Sequence, residues 1–142
     1  MASIFVDTSA LVKFYYPEPD SDRVEALLLR AERLYITNLT VVEMASALSK
    51  KVRMGDLKKE QETVAWNTFL DDLQTGQVEV VTLNDRDYLK AADLIRELGG
   101  KYGIKTLDSL QLSAAHSLHH AEFLCSDKTL TKTAVKIGLK VI

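Results

Sequence analysis

Asp7, Glu43, Asp108 and Asp127 are the side chains whose type and placement best suit chemistry. Asp7 follows an apolar run in IFVDTSA, and Asp127 follows another in EFLCSDKTL. Glu43 falls in the expected first helical turn of TNLTVVEMASAL, and Asp108 opens the helical pattern of KTLDSLQLSAA. Like charges within about 4–6 Å raise each other's pKa, so four carboxylates sharing one crevice call for a cation. Mg²⁺ and Mn²⁺ take oxygen ligands, and Mg²⁺ typically combines one or two carboxylates with waters and a substrate phosphate. Such a set points to phosphodiester hydrolysis by a water that the ion activates.

Each acid also has an ordinary structural explanation. Glu43 lies three residues after Thr40, the spacing of a capping box. Asp108 complements a helix N-terminal dipole, and Asp127 suits the N-cap of a last helix. Asp7 is the hardest to explain this way. It stands between the apolar strand and a second apolar run, residues 10–12, where an unpaired charge is costly.

The elements that must position these acids are legible in the hydrophobic pattern. Short apolar or β-rich runs occur at 3–6, 34–37, 78–83, 122–125 and 139–142. Between them lie helical stripes at the i, i+3, i+4, i+7 spacing. They are Val24, Leu27, Leu28, Ala31; Val41, Ala45, Leu48, Val52; Trp66, Phe69, Leu70, Leu73; Tyr88, Ala91, Ala92, Ile95; Leu107, Leu110, Ala114, Leu118; and Leu130, Ala134, Ile137. Alternating strands and helices predict an α/β domain with a parallel sheet covered on both faces. In such sheets, groups just beyond the carboxyl ends of strands converge in one crevice.

The 142 residues suffice for a single domain, 1–142, with a sizeable core. Hydrophobic residues make up 46% and charged residues 27%, as in a soluble globular protein. No apolar run approaches the roughly 20 residues of a membrane span, and the opening residues lack the pattern of a secretory signal. One cysteine, Cys125, excludes an internal disulfide and a multi-cysteine zinc site. These features predict a cytoplasmic protein. A net charge of −2 argues against a general basic coat, although KKVRMGDLKK at 50–59 is locally basic.

The segments around the acids form a recognisable set. FVDTSALVKFYYPE resembles the opening of PIN-domain proteins, most closely the toxins of VapBC-type toxin–antitoxin pairs. LTVVEMASAL resembles their second motif, TLDSLQLSAA their third, and FLCSDKTLTKTAVKIGLKVI their closing one. This resemblance spans nearly the whole chain. It implies a three-layer α/β/α fold with a central, mostly parallel five-stranded sheet. It also implies cleavage of single-stranded RNA with Mg²⁺ or Mn²⁺, a cognate antitoxin and a homodimer. Asp7, Asp108 and Asp127 then correspond to metal ligands, and Glu43 to an acid acting through water or in positioning. Ser9 matches a supporting hydroxyl. Cys125 stands where many relatives have Thr or Ser, which leaves Ser126 as a candidate substitute.

Other residues invite weaker readings. His116, His119 and His120 suit a helix C-terminus better than a metal site, since no HExxH-type spacing is present. Trp66 and Tyr88 lie on apolar stripes and read as core or dimer contacts, while Tyr15, Tyr16 and Tyr102 are candidates for base stacking. Two other functions compete: a doubly wound phosphohydrolase or phosphoacceptor with Asp7 as nucleophile, and a non-catalytic interaction module of the same fold. Ser9 stands where a haloacid-dehalogenase-like enzyme wants a second Asp, and the presence of all four acids weighs against the module.

Overall fold

The computed structural model describes residues 2–142. Its strands are β1 (Ser3–Val6), β2 (Arg33–Thr37), β3 (Val78–Val81) and β4 (Ala121–Leu124). All pair in parallel, in the order β3-β2-β1-β4. The helices are α1 (Thr8–Tyr15), α2 (Ser21–Arg30), α3 (Asn38–Arg53), α4 (Lys59–Thr75), α5 (Asp85–Tyr102), α6 (Thr106–Ser117) and α7 (Lys128–Lys136). Among the described residues, no helix is long and apolar enough to cross a membrane.

The two-residue alternation of a strand separates the core into two layers. Ile4 and Val6 of β1 face a cluster built with Leu11, Val24, Leu34, Met44 and Phe69, which places α1 to α4 on one side. Phe5, between them, faces the other cluster with Leu94, Leu112, Phe123 and Leu130, which places α5 to α7 there. The result is the expected three-layer α/β/α arrangement. Strand order reverses at β1: the chain steps outward through β2 and β3, then returns to place β4 on the opposite edge of β1. The crevice beyond the carboxyl ends of β1 and β4 is therefore the switch point where doubly wound folds bind ligands.

The sheet has four strands rather than five. The run at 139–142 does reach β4, but only Phe123 pairs with it, by donating its N–H to the Lys140 carbonyl (2.8 Å) and accepting from Ile142 N–H (3.0 Å). These two bonds straddle one residue and make a bridge instead of a ladder. The run at 78–83 is also shorter as a strand. Beyond Val81 the chain turns out, and Leu83 N–H bonds to the Asn38 side chain (3.2 Å).

Helix α1 was not foreshadowed by any stripe. Thr8, Ala10, Leu11 and Val12 are all buried, because α1 packs against α2, α3 and α4. Only Ser9 and Lys13, one turn apart and half-buried, mark its outer face. The stripe of α3 is rotated by one position, with Thr40, Met44 and Leu48 buried and Ala45 exposed. Tyr88 is 56% exposed and so is not a core residue.

Phe123 is fully buried and stacks on Phe5 with ring centroids 6.0 Å apart. Phe123→Ala should lower the unfolding free energy by about 3–5 kcal/mol, read as a shifted urea midpoint. A change under about 1 kcal/mol, the range expected of surface substitutions, would show that this layer is not tightly packed.

Candidate active site

Asp7 continues β1 by one residue, since its N–H donates to the Leu124 carbonyl at 2.9 Å. It then serves as the N-cap of α1. Its Oδ2 accepts from Ser9 N–H (3.1 Å) and Ser9 Oγ (2.6 Å). Ser9 Oγ in turn accepts from Ser126 N–H (3.0 Å), which ties the end of β1 to the loop after β4. Asp7 is only 7% exposed. Burial raises its pKa, the charge of Asp108 raises it further, and the Ser9 hydrogen bonds only partly oppose the rise.

Glu43 does not cap α3. Thr37 is the N-cap and Thr40 its capping-box partner, so Glu43 lies in the second turn. Its Oε1 accepts instead from Thr8 Oγ1 (2.8 Å) and Gln111 Nε2 (2.6 Å). Gln111 is almost wholly buried in α6; it also donates to Thr40 Oγ1 (2.9 Å) and accepts from Thr37 Oγ1 (3.0 Å). One amide thus joins the end of β2 and helices α3 and α6 around Glu43. Burial raises the Glu43 pKa, and the charges of Asp7 and Asp108 add to the rise against the bonds from Gln111 and Thr8.

Asp108 lies in the first turn of α6, where its Oδ2 accepts from Lys105 N–H (3.3 Å). Asp127 is the exposed N-cap of α7, and its Oδ1 accepts from Leu130 N–H (2.9 Å). The structure therefore brings Asp7, Glu43 and Asp108 within reach of each other's charge. Asp127 joins Asp7 through Cys125, whose Sγ accepts from Asp127 N–H (3.2 Å) and lies 3.8 Å from Asp7 Oδ2. Burial and the Asp7 charge push the Cys125 thiol up to about 11, which keeps it neutral. Ser126 contributes its backbone N–H to this frame, but its buried hydroxyl has no partner among the described residues.

A single arrangement recurs at all four acids. One carboxylate oxygen is anchored by the fold. Asp7 Oδ1, Glu43 Oε2, Asp108 Oδ1 and Asp127 Oδ2 make no hydrogen bond among the described residues. None of these acids forms a salt bridge there either. No three His, Cys, Asp or Glu side chains among the described residues stand close enough to enclose a metal. The donors themselves, all carboxylate oxygens, are of the type that a hard divalent ion takes together with water.

The remaining candidates lie elsewhere. Tyr15 and Tyr16 sit at the far end of α1, about 12 Å along it from Asp7. They hydrogen-bond to Asp72 and to the Asp56 carbonyl. His116 contacts Lys90, and His120 packs on Tyr35. Sequence reasoning missed Gln111, Thr8 and Thr37. The signal was present in Gln111, an amide inside the apolar stretch LQLSAA and three residues after Asp108.

The sequence model of the PIN domain matches residues 4–136. No curated protein matches the chain by sequence. Several solved structures share the fold. VapBC2 from Rickettsia felis, bound to a DNA fragment from their promoter, is 20% identical with a TM-score of 0.68, covering 99% of this chain and 97% of that one. FitAcB from Neisseria gonorrhoeae is 18% identical with a TM-score of 0.67, covering 98% and 96%. A toxin–antitoxin complex from Klebsiella pneumoniae is 16% identical with a TM-score of 0.64, covering 98% and 96%.

The raised pKa values of Asp7 and Glu43 carry a thermodynamic consequence. Their ordinary values are 3.8 and 4.5. Above these, the folded chain holds protons that the unfolded chain has released, so without divalent ions stability falls as pH rises through that window. Asp7→Asn removes the Asp7 share and keeps a competent N-cap. In chelator at neutral pH, this variant should melt at or above the parent's temperature, with a weaker dependence on pH. A lower melting temperature with an unchanged pH slope would contradict the assigned cause.

Proposed function

The chain belongs to the PIN-domain family, and from that premise we propose that it is an endoribonuclease that cleaves single-stranded RNA with Mg²⁺ or Mn²⁺. The observation that carries this reading is the set of four anchored carboxylates at the switch point, each with one unpartnered oxygen and no salt bridge among the described residues. Asp7, Asp108 and Asp127 would hold the ion, with Ser9, the Cys125 thiol and the Ser126 N–H fixing the angle of Asp7. When bound, the ion supplies Lewis-acid polarisation of the phosphate and a lower pKa for water.

The protein's own groups do the rest. Thr8 and Gln111 clamp Glu43 Oε1 and leave Oε2 to orient a water or accept its proton. A carboxylate with a raised pKa is a stronger base for that task than an ordinary one. The N-termini of α1, α6 and α7 carry three of the acids, so their positive dipole ends favour an approaching phosphodiester.

We extend the reading to the toxin of a VapBC-type pair with a cognate antitoxin. Its support is the likeness to VapBC2 and to the Klebsiella toxin–antitoxin complex. A nuclease that matures RNA without an antitoxin would use the same site. A homodimer in the cytoplasm belongs to the same proposal, and exposed Tyr88 and Leu89 on α5 offer it apolar surface.

Incubating a defined set of single-stranded RNAs with Mg²⁺, Mn²⁺ or chelator tests the activity. Cleavage should require the ion and disappear in Asp7→Asn with the fold retained. Gln111→Leu, which loosens Glu43 without touching the RNA, should slow cleavage by about 10–100-fold. Cutting at the parent's rate by Asp7→Asn would sink the mechanism.

A further inference from the structure

Beside the acids lies a second feature of opposite charge. A pocket of about 350 Å³ opens where α1, α2 and α7 meet the loop after β4. Lys13, Arg23, Lys128 and Lys132 line it, with Asp20 as its one acid. Arg23 is paired with that Asp20 at 3.3 Å. The three lysines have no carboxylate partner among the described residues. Ser126 lines the same pocket, although its hydroxyl is closed off from solvent and has no hydrogen bond among the described residues. In a chain of net charge −2, three unpaired lysines converging on one concavity run against the average composition.

These observations agree on the ligand's chemistry. Three ammonium groups supply positive charge and N–H donors to one concavity. An oxyanion with several acceptor oxygens satisfies all three. The pocket also shares a wall with the acidic crevice, because Ser126 N–H bonds to Ser9 Oγ, which bonds to Asp7 Oδ2. Along that path two residues, Ser126 and Ser9, stand between the pocket and Asp7.

We propose that the pocket of Lys13, Lys128, Lys132 and Ser126 is a phosphate-binding subsite that grips an RNA strand at a phosphodiester next to the one facing the acids. The anion site stands on the pocket alone, whereas its assignment to RNA rests on the nuclease reading. The subsite carries no base information, since phosphate contacts set register and not sequence.

Both arms of the test avoid catalysis by working in chelator. In the first, inorganic phosphate is titrated into the protein at fixed ionic strength while backbone amide resonances are followed. Amides from Ser126 to Thr131 should shift saturably, and the Lys128→Ala/Lys132→Ala double variant should bind roughly tenfold more weakly. In the second, single-stranded RNA binding is followed by fluorescence anisotropy across a salt series. The double variant should weaken Kd, and Lys13→Ala should act in the same direction. The slope of log Kd against log salt should fall by about 0.7 for each lysine removed. Thermal melts establish that the variants are folded. Unsaturable phosphate shifts, or equal phosphate affinity in the double variant, would overturn the site. Phosphate binding with an unchanged RNA slope would overturn its assignment to RNA and point to another anion, such as an acidic segment of a partner protein. A parent that binds RNA but never cuts it would defeat the nuclease reading and leave both binding results standing.

Discussion

Carboxylate charge without an internal counter-charge is the constraint that organises the carboxyl edge of this sheet. Asp7 is nearly buried, senses Asp108, and is paired with no lysine or arginine among the described residues. Glu43 senses both. A fold concerned with stability alone would neutralise such a cluster or replace it with apolar side chains. Here the surrounding structure does something else. It spends hydrogen bonds on fixing one oxygen of each acid and leaves the other without a partner.

The devices that hold the acids are ordinary elements of helix chemistry put to a second use. Asp7 and Asp127 are N-caps, and Asp108 accepts a backbone N–H in the first turn of its helix. Their negative charge is therefore partly compensated by helix dipoles. Glu43 is different, because it reaches out from the second turn of α3. Its fixation needs Gln111 and Thr8, and through Gln111 it depends on Thr37 and Thr40 as well. The core explains why these positions are stable. β1 is interior, with Phe5 on one face and Ile4 and Val6 on the other, so Asp7 is delivered by a strand enclosed on both edges and both faces.

Much of this was legible in the sequence. The strands before Asp7 and Asp127 stand out because parallel strands buried on both faces are continuous apolar runs. The helices α2, α4 and α7 stand out because each keeps one wet face. What escaped reading did so for physical reasons. Helix α1 is short and has apolar residues on successive positions, with only Ser9 and Lys13 to mark its period. The expected fifth strand has the composition of a strand, but whether it forms a ladder depends on pairing that residue order does not encode. Glu43 sits at capping-box spacing from Thr40, and only the real start of α3 at Asn38 removes that explanation. Ser126 looked like a stand-in hydroxyl beside Cys125. In the fold, the thiol and the Ser126 backbone N–H take the contacts instead. Gln111 was visible as a polar residue in an apolar helix, but its three partners come from distant elements.

A divalent cation held jointly by the acids is the core of the proposed site. Calorimetric titration of chelator-stripped protein with Mg²⁺, run just above the acids' ordinary values of 3.8 and 4.5 in two buffers of different ionisation enthalpy, measures binding and proton release together. The raised pKa values of Asp7 and Glu43 predict saturable binding that expels protons, with the release diminished in Asp7→Asn. Saturable heat that is identical in both buffers, or no saturable heat at all, would contradict it.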